Sequence, residues 1–211
     1  MSVVSGRPVT AGSARVDRDV APEALALLEF ESIAAGTRAA DALLKKAPVR
    51  IERIGTLQPG IFAILWSGDV ASVRESFDEA LRVAGRAVSD RMFLAQIEPS
   101  VYFATLGAAG EFAGDTLGII ETNGLAALIE AADTAVKGAN VRVARIRLGD
   151  ELGGKGVAHL TGEQHDVEAA LELAVMRVAR EGRKVETSIT PRIDPELASL
   201  LGRSTRFWEV F

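Results

Sequence analysis

The sequence predicts an α+β protein built from two tandem copies of one βαββαβ unit, and three observations carry that expectation. The chain has 211 residues, enough for two small domains of roughly 100 residues each. Residues 25–54 return at 117–146 with thirteen identities in thirty positions, where composition alone would give about two or three. Within each copy, short apolar or β-branched runs alternate with alanine- and leucine-rich stretches of helical period.

The elements follow in order. Residues 1–22 form an N-terminal extension without the apolar core of a secretory signal, read as a loosely attached arm. The first domain is expected at 23–110 and the second at 111–211. Leu25 to Phe30 and Leu117 to Thr122 are apolar runs of buried-strand length. Ser32 to Lys46 and Gly124 to Lys137 follow as helices; in the first, Ile33, Gly36, Ala40 and Leu43-Leu44 recur at three to four residues, enough for one buried stripe. Val49 to Ile54 and Val141 to Leu148 alternate β-branched with charged residues, as half-solvated strands do. After glycine-rich loops come strands Ile61 to Trp66 and Val157 to Leu160. Asp69 and Asp166 then stand where a carboxylate can cap the helices Val70 to Ala84 and Val167 to Arg180. A last strand leads to Pro99 and Pro191. Each unit is thus a split βαβ (ferredoxin-like) sheet with helices on one face.

The repeat pairs Glu29 with Glu121, Ala39-Ala40-Asp41 with Ala131-Ala132-Asp133, Lys45 with Lys137, Val49-Arg50 with Val141-Arg142, and Arg53-Ile54 with Arg145-Ile146. Beyond it the copies slip. Ser67-Gly68-Asp69-Val70 is matched to Thr161-Gly162 and Asp166-Val167, with Glu163-Gln164-His165 inserted. Ile97-Glu98-Pro99 is matched to Ile189-Thr190-Pro191 at the original spacing.

Composition removes several classes of function. A net charge of −5 argues against a dedicated nucleic-acid binder. The absence of cysteine excludes disulfides, thiolate zinc sites, iron–sulfur clusters and cysteine nucleophiles. No run approaches the roughly 20 apolar residues that cross a bilayer, so no membrane role is expected and the chain reads as soluble and cytoplasmic. His159 and His165, placed on a strand and in a loop, lack the carboxylate spacing of a metal site. The pairs Asp150-Glu151 and Glu29/Glu31 have no nucleophile or phosphate cradle beside them, so neither catalysis nor a cofactor is expected. Trp66 is read as core or interface, and Trp208 in the tail as a packing or partner contact.

The order L-x-x-x-E, A-A-D-x-x-x-K-x-A-x-V, glycine loop and G-D-V, present in both copies, resembles the bacterial microcompartment shell domain. The first copy carries it on Leu25, Glu29, Ala39-Ala40-Asp41, Lys45, Ala47, Val49 and Gly68-Asp69-Val70; the second adds Glu121-Thr122-Asn123-Gly124-Leu125 and Pro191-Arg192. The resemblance spans about residues 24–105 and 115–202 and implies a structural shell protein, not an enzyme. Single-domain members form flat hexamers with a pore on the six-fold axis, so a two-domain chain would need three copies: a homotrimeric pseudohexamer of about 67 kDa from chains of 22.3 kDa. By the same resemblance the glycine loops line the pore: Thr56, Leu57, Gln58, Pro59 and Gly60 from the first copy, Asp150, Glu151, Leu152, Gly153, Gly154 and Lys155 from the second. A narrow aperture for small polar metabolites is implied, with Gln58, Asp150, Glu151 and Lys155 setting what passes. Lys45, Lys137 and Arg192 fall at the tile edge, where the partners are other shell proteins, hexamers and pentamers, and the location is the shell of a cytoplasmic microcompartment. The first copy places Ser100 opposite Arg192. Family pores that hold a metal cluster use cysteines, which this chain lacks. A competing reading remains, a duplicated α+β regulatory protein that senses small molecules at subunit interfaces.

Overall fold

A computed structural model describes residues 20–149 and 151–203. The N-terminal arm up to residue 19, Asp150, and the tail with Trp208 lie outside the described residues. The first half comprises β1 (Ala24–Phe30), α1 (Ile33–Lys46), β2 (Arg50–Leu57), β3 (Ile61–Gly68), α2 (Val70–Ala84), β4 (Val88–Ala95) and α3 (Pro99–Thr105). The second comprises β5 (Thr116–Thr122), α4 (Leu125–Gly138), β6 (Arg142–Leu148), β7 (Gly156–Gly162), α5 (Gln164–Ala179), β8 (Val185–Thr190) and α6 (Pro195–Arg203). Each half has one four-stranded antiparallel sheet, in the orders β2-β3-β1-β4 and β6-β7-β5-β8. This is the split βαβ arrangement read from the sequence, with a short helix added at the end of each copy.

Local chemistry explains the boundaries. The Ser32 hydroxyl accepts from Ala35 N at 3.2 Å and starts α1; the Asp69 carboxylate accepts from Ser72 N at 2.9 Å and starts α2. Both sheets carry the same irregularity on their edge strand, between Ile51 and Arg53 in one and between Val143 and Arg145 in the other, so the bulge belongs to the duplicated unit. At Gly36 a Cβ would lie 2.3 Å from the Phe62 ring; only a glycine lets α1 approach its sheet this closely.

Strand pairing corrects the alignment of the two copies after the first loop. Gly68 faces Ala24, and Gly162 faces Thr116, so Asp69 corresponds to Glu163, which is the N-cap of α5. Asp166 is therefore not a cap; it lies in the first turn. His165 likewise sits in that helix and not in a loop. No residues are inserted there. The additional residues of the second copy fall in the β6–β7 loop and in the turn before β8. Glu29 pairs with Asp90 and Glu121 with Glu186, which aligns Glu98-Pro99 with Asp194-Pro195, not with Thr190-Pro191. The chemistry agrees. Glu98 accepts from Ser100 N and Val101 N, Asp194 accepts from Glu196 N and Leu197 N, and each precedes the proline that opens a terminal helix. Arg192 thus corresponds to Gln96, not Ser100, and both adopt positive φ, 50° and 56°.

The two halves share a core, but unequally. Every residue of β1 is buried. Ala24, Ala26, Leu28 and Phe30 pack under α1 and α2, while Leu25 and Leu27 on the opposite face join the apolar residues of α4 and α3. The back of the first sheet is thus covered by the second half. Trp66 belongs to the first core, with Nε1 donating to Ser76 Oγ at 2.9 Å. Helix α4, held between its own sheet and the first, buries ten of its fourteen residues; α1, its counterpart, buries five. The same imbalance separates the terminal helices: α3 packs against β6 and buries Val101, Tyr102, Ala104 and Thr105, whereas α6 buries none.

Candidate functional site

Two features are built by the duplication: a pair of loops and a polar seam between the halves. The first loop, Gln58-Pro59-Gly60, closes β2 onto β3 with Gly60 N donating to Leu57 O at 2.8 Å. The second spans 149–155 and is tied by Gly149 N to Lys155 O at 2.8 Å and Leu152 N to Gly149 O at 3.2 Å. The structure brings the two together. A Cβ on Gly154 would stand 3.0 Å from Gln58 O, and one on Gly149 would stand 3.0 Å from Leu57 Cδ1. Gly154 has φ 86°, so both its backbone angle and this close approach require glycine. Thr56, Gln58, Pro59, Gly60, Glu151, Gly153 and Lys155 are exposed, Leu57 and Leu152 half-buried. The second loop's charges are partly balanced from within: Lys155 Nζ meets Glu121 Oε1 at 2.5 Å, and Glu151 lies 3.7 Å from Arg147. Beside the loops, Leu27, Leu57, Leu65, Leu125 and Leu148, together with Glu52, Arg53 and Thr56, line a cleft of about 470 Å³.

The seam is the feature the sequence reading missed. Helix α4 is preceded by Gly124 at its N-cap, which has no side chain to cap it. The cap comes from the other half: Glu29 Oε1 accepts from Leu125 N at 2.8 Å and Ala126 N at 3.0 Å, a carboxylate at the positive end of a helix. Glu29 is only 2% exposed. Burial pushes its carboxyl up to about 7, against the pull of the Ala126 amide, and neighbouring Asp90 adds to the rise. Arg183 then bridges the halves. Its Nη2 donates to Asp90 Oδ1 at 2.5 Å and to Arg91 O at 2.9 Å, while Nη1 donates to Glu130 Oε2 at 2.7 Å. Burial raises the carboxyls of Asp90 and Glu130 as well, and the arginines oppose it. Asp133 completes the seam, accepting from Glu98 N at 2.8 Å on one oxygen and from Lys137 Nζ at 2.7 Å on the other. Two sequence signals pointed here: a lone acid inside the apolar run of β1, and a helix start without a capping side chain.

Lys45 and Lys137 occupy the last turns of α1 and α4, each paired with the aspartate four residues earlier, at 2.6 Å to Asp41 and 2.7 Å to Asp133. That spacing is the physical content of the A-A-D-x-x-x-K motif. Arg192 is exposed in the turn between β8 and α6. His159 is buried in β7; burial, with Arg145 and Arg147 nearby, lowers its imidazolium to about 4, and its Nδ1 has no partner. Among the described residues no group of three or more His, Cys, Asp or Glu could hold a metal, and no helix is long and apolar enough to cross a membrane.

Comparison with known proteins places this architecture. The BMC domain model matches twice, at residues 24–97 and 116–193. The chain is 35% identical over 170 residues to the bacterial microcompartment shell protein PduT of Citrobacter freundii, covering 81% of this chain and 92% of that protein. The shell protein EutM of Salmonella typhimurium is 37% identical over 79 residues, 37% of this chain and 79% of that protein, as a relative of single-domain length would be. The crystal structure of a microcompartment protein from Desulfitobacterium hafniense superposes with a TM-score of 0.75 at 37% identity, covering 85% of this chain and 99% of that one. With two BMC domains in tandem, an α+β fold in each and relatives that are shell proteins, the chain belongs to the BMC-domain family of bacterial microcompartment shell proteins, in its tandem-domain form.

Proposed function

We propose that three copies close head to tail into a flat pseudohexameric tile of a microcompartment shell, that the paired loops surround its axis, and that its role is structural, not catalytic. The observation that carries this reading is the unequal burial of α1 and α4. The back of the first sheet covers α4, so Leu125 and Ile129 are buried at 3% and 0%. Their counterparts on α1, Ile33 and Thr37, are exposed, as is much of β8. The back of the second sheet is the one surface of the same design left to cover α1, and it belongs to a second copy. A heterologous contact of this kind repeats until it closes, and six equivalent domains need three chains.

The abutting loops support the same axis. With Gln58 next to Gly154 in one chain, the same contact between chains places six loops in one ring. The aperture then admits small polar metabolites, with Gln58, Asp150, Glu151 and Lys155 on its wall. Lys45, Lys137 and Arg192 serve the tile edges, where other shell proteins, hexamers and pentamers, adjoin. Light scattering on the purified chain tests the central claim: a particle of about 67 kDa is expected from chains of 22.3 kDa, and a stable monomer at micromolar concentration refutes it.

A further inference from the structure

The proposed tile has two kinds of seam, one within each chain and one between chains, and the within-chain seam is a template for the other. Three side chains meet at its centre: Asp90 from β4, Glu130 from α4, and Arg183 two residues before β8, held together by one guanidinium. Strand and helix registers give their counterparts across the second seam. Asp90 pairs with Glu29 and Glu186 with Glu121, so Glu186 takes the place of Asp90. Helices α1 and α4 have fourteen residues each, and their sixth positions are Arg38 and Glu130. Val88 faces Phe30 as Val185 faces Thr122, which puts Arg86 two residues before its strand, as Arg183 is before Val185.

One charge changes sign. Within the chain Arg183 lies between Asp90 and Glu130 and also meets Glu181, while Arg177 adds a second bond to Glu130; between chains the helix position is Arg38, so Arg86 faces one acid, Glu186. We infer that Glu186 of one copy is received by Arg86 of the next copy, as Asp90 is received by Arg183, with Arg38 on the far side of Arg86, and that this contact selects the head-to-tail closure. The inference rests on the trimer reading above. All three side chains are exposed, and among the described residues none of them makes an ion pair or a side-chain hydrogen bond. The place beside Arg86 is thus vacant in a single chain and filled by Glu186 in the ring. A planar guanidinium can hold a carboxylate with two parallel bonds, and the cluster loses water as the apolar faces close around it, which makes a mismatch there costly.

The test is the trimer–monomer equilibrium of the full chain, followed by light scattering over a dilution series, for Glu186→Arg, Arg38→Glu and the combination. Glu186→Arg should raise the concentration at which half the trimer dissociates at least tenfold, whereas Arg38→Glu, which recreates the acid–arginine–acid cluster of the within-chain seam, should not raise it. The combination should recover most of the loss caused by Glu186→Arg, because Arg86 then finds its acid on the helix, as Arg183 finds Glu130. Circular dichroism checks that each variant keeps its fold, as substitutions at exposed sites should. If the unsubstituted chain is trimeric and Glu186→Arg dissociates as it does, the contact is refuted while the trimer stands. A monomeric unsubstituted chain overturns both.

Discussion

Glu29 offers the sharpest test of the seam, because its two roles respond oppositely to two substitutions. As a cap it accepts two backbone hydrogen bonds in a buried site. Glu29→Ala orphans both amides, and buried unsatisfied donors together with a lost cap cost about 2–4 kcal/mol. As an acid it is raised from 4.5 to about 7 in the folded protein. The folded state therefore holds a proton that the unfolded chain has released between those two values, and stability falls as pH rises through that window. The accompanying loss is on the order of 3 kcal/mol by pH 7. Glu29→Gln keeps an oxygen for Leu125 and Ala126 but cannot ionise. It should match the parent near pH 4.5, exceed it by about 1–3 kcal/mol at pH 7, and show a flatter profile between. Urea unfolding at fixed protein concentration, followed by tryptophan fluorescence, reads all three proteins; Trp66 is fully buried. The reasoning is refuted if Glu29→Gln retains the parent's slope between pH 4.5 and 7, or if Glu29→Ala proves as stable as Glu29→Gln.

Three further outcomes are expected. His159 occupies the place of Leu65 and is lowered from 6.5 to about 4 by burial; its neutral form contributes stability above pH 6.5 that is lost as pH falls toward 4, so His159→Leu should remove that acid sensitivity and raise the melting temperature at pH 5 by several degrees. Gly154→Val should lower the melting temperature through a cost of about 1–3 kcal/mol, since φ is 86° and the new Cβ would stand 3.0 Å from Gln58 O, while the same change at Gly153, with open space around it, should cost less. Lys45→Asp combined with Lys137→Asp should leave the trimer mass unchanged and abolish extended sheets in negative-stain images; sheets that persist would remove both lysines from the edge.

Much of the fold was legible because it is local. A carboxylate four residues before a lysine, Asp41 before Lys45 or Asp133 before Lys137, makes its contact within one helical turn, so the repeat displays it directly. Asp69 before α2 is equally local. The alignment failed where identity was thin and two local signals competed. Asp166 looks like a cap because aspartate is a good one, yet pairing of Gly162 with Thr116 starts α5 at Glu163. Pro191 looks like the partner of Pro99, yet Pro195 follows the carboxylate that caps the helix.

From the order of residues alone came the duplication, the βαββαβ unit and the positions of its loops, since periodicity and capping act over a few neighbours. Tertiary structure alone decided that Glu29 caps a helix 96 residues away, that Gly154 rests on Gln58, and that α4 is enclosed while the outer face of α1 is open. These depend on which faces two sheets present to each other. Burial then gives the same acid in the two copies different work: Glu29 is enclosed and caps, whereas Glu121 is open and pairs with Lys155.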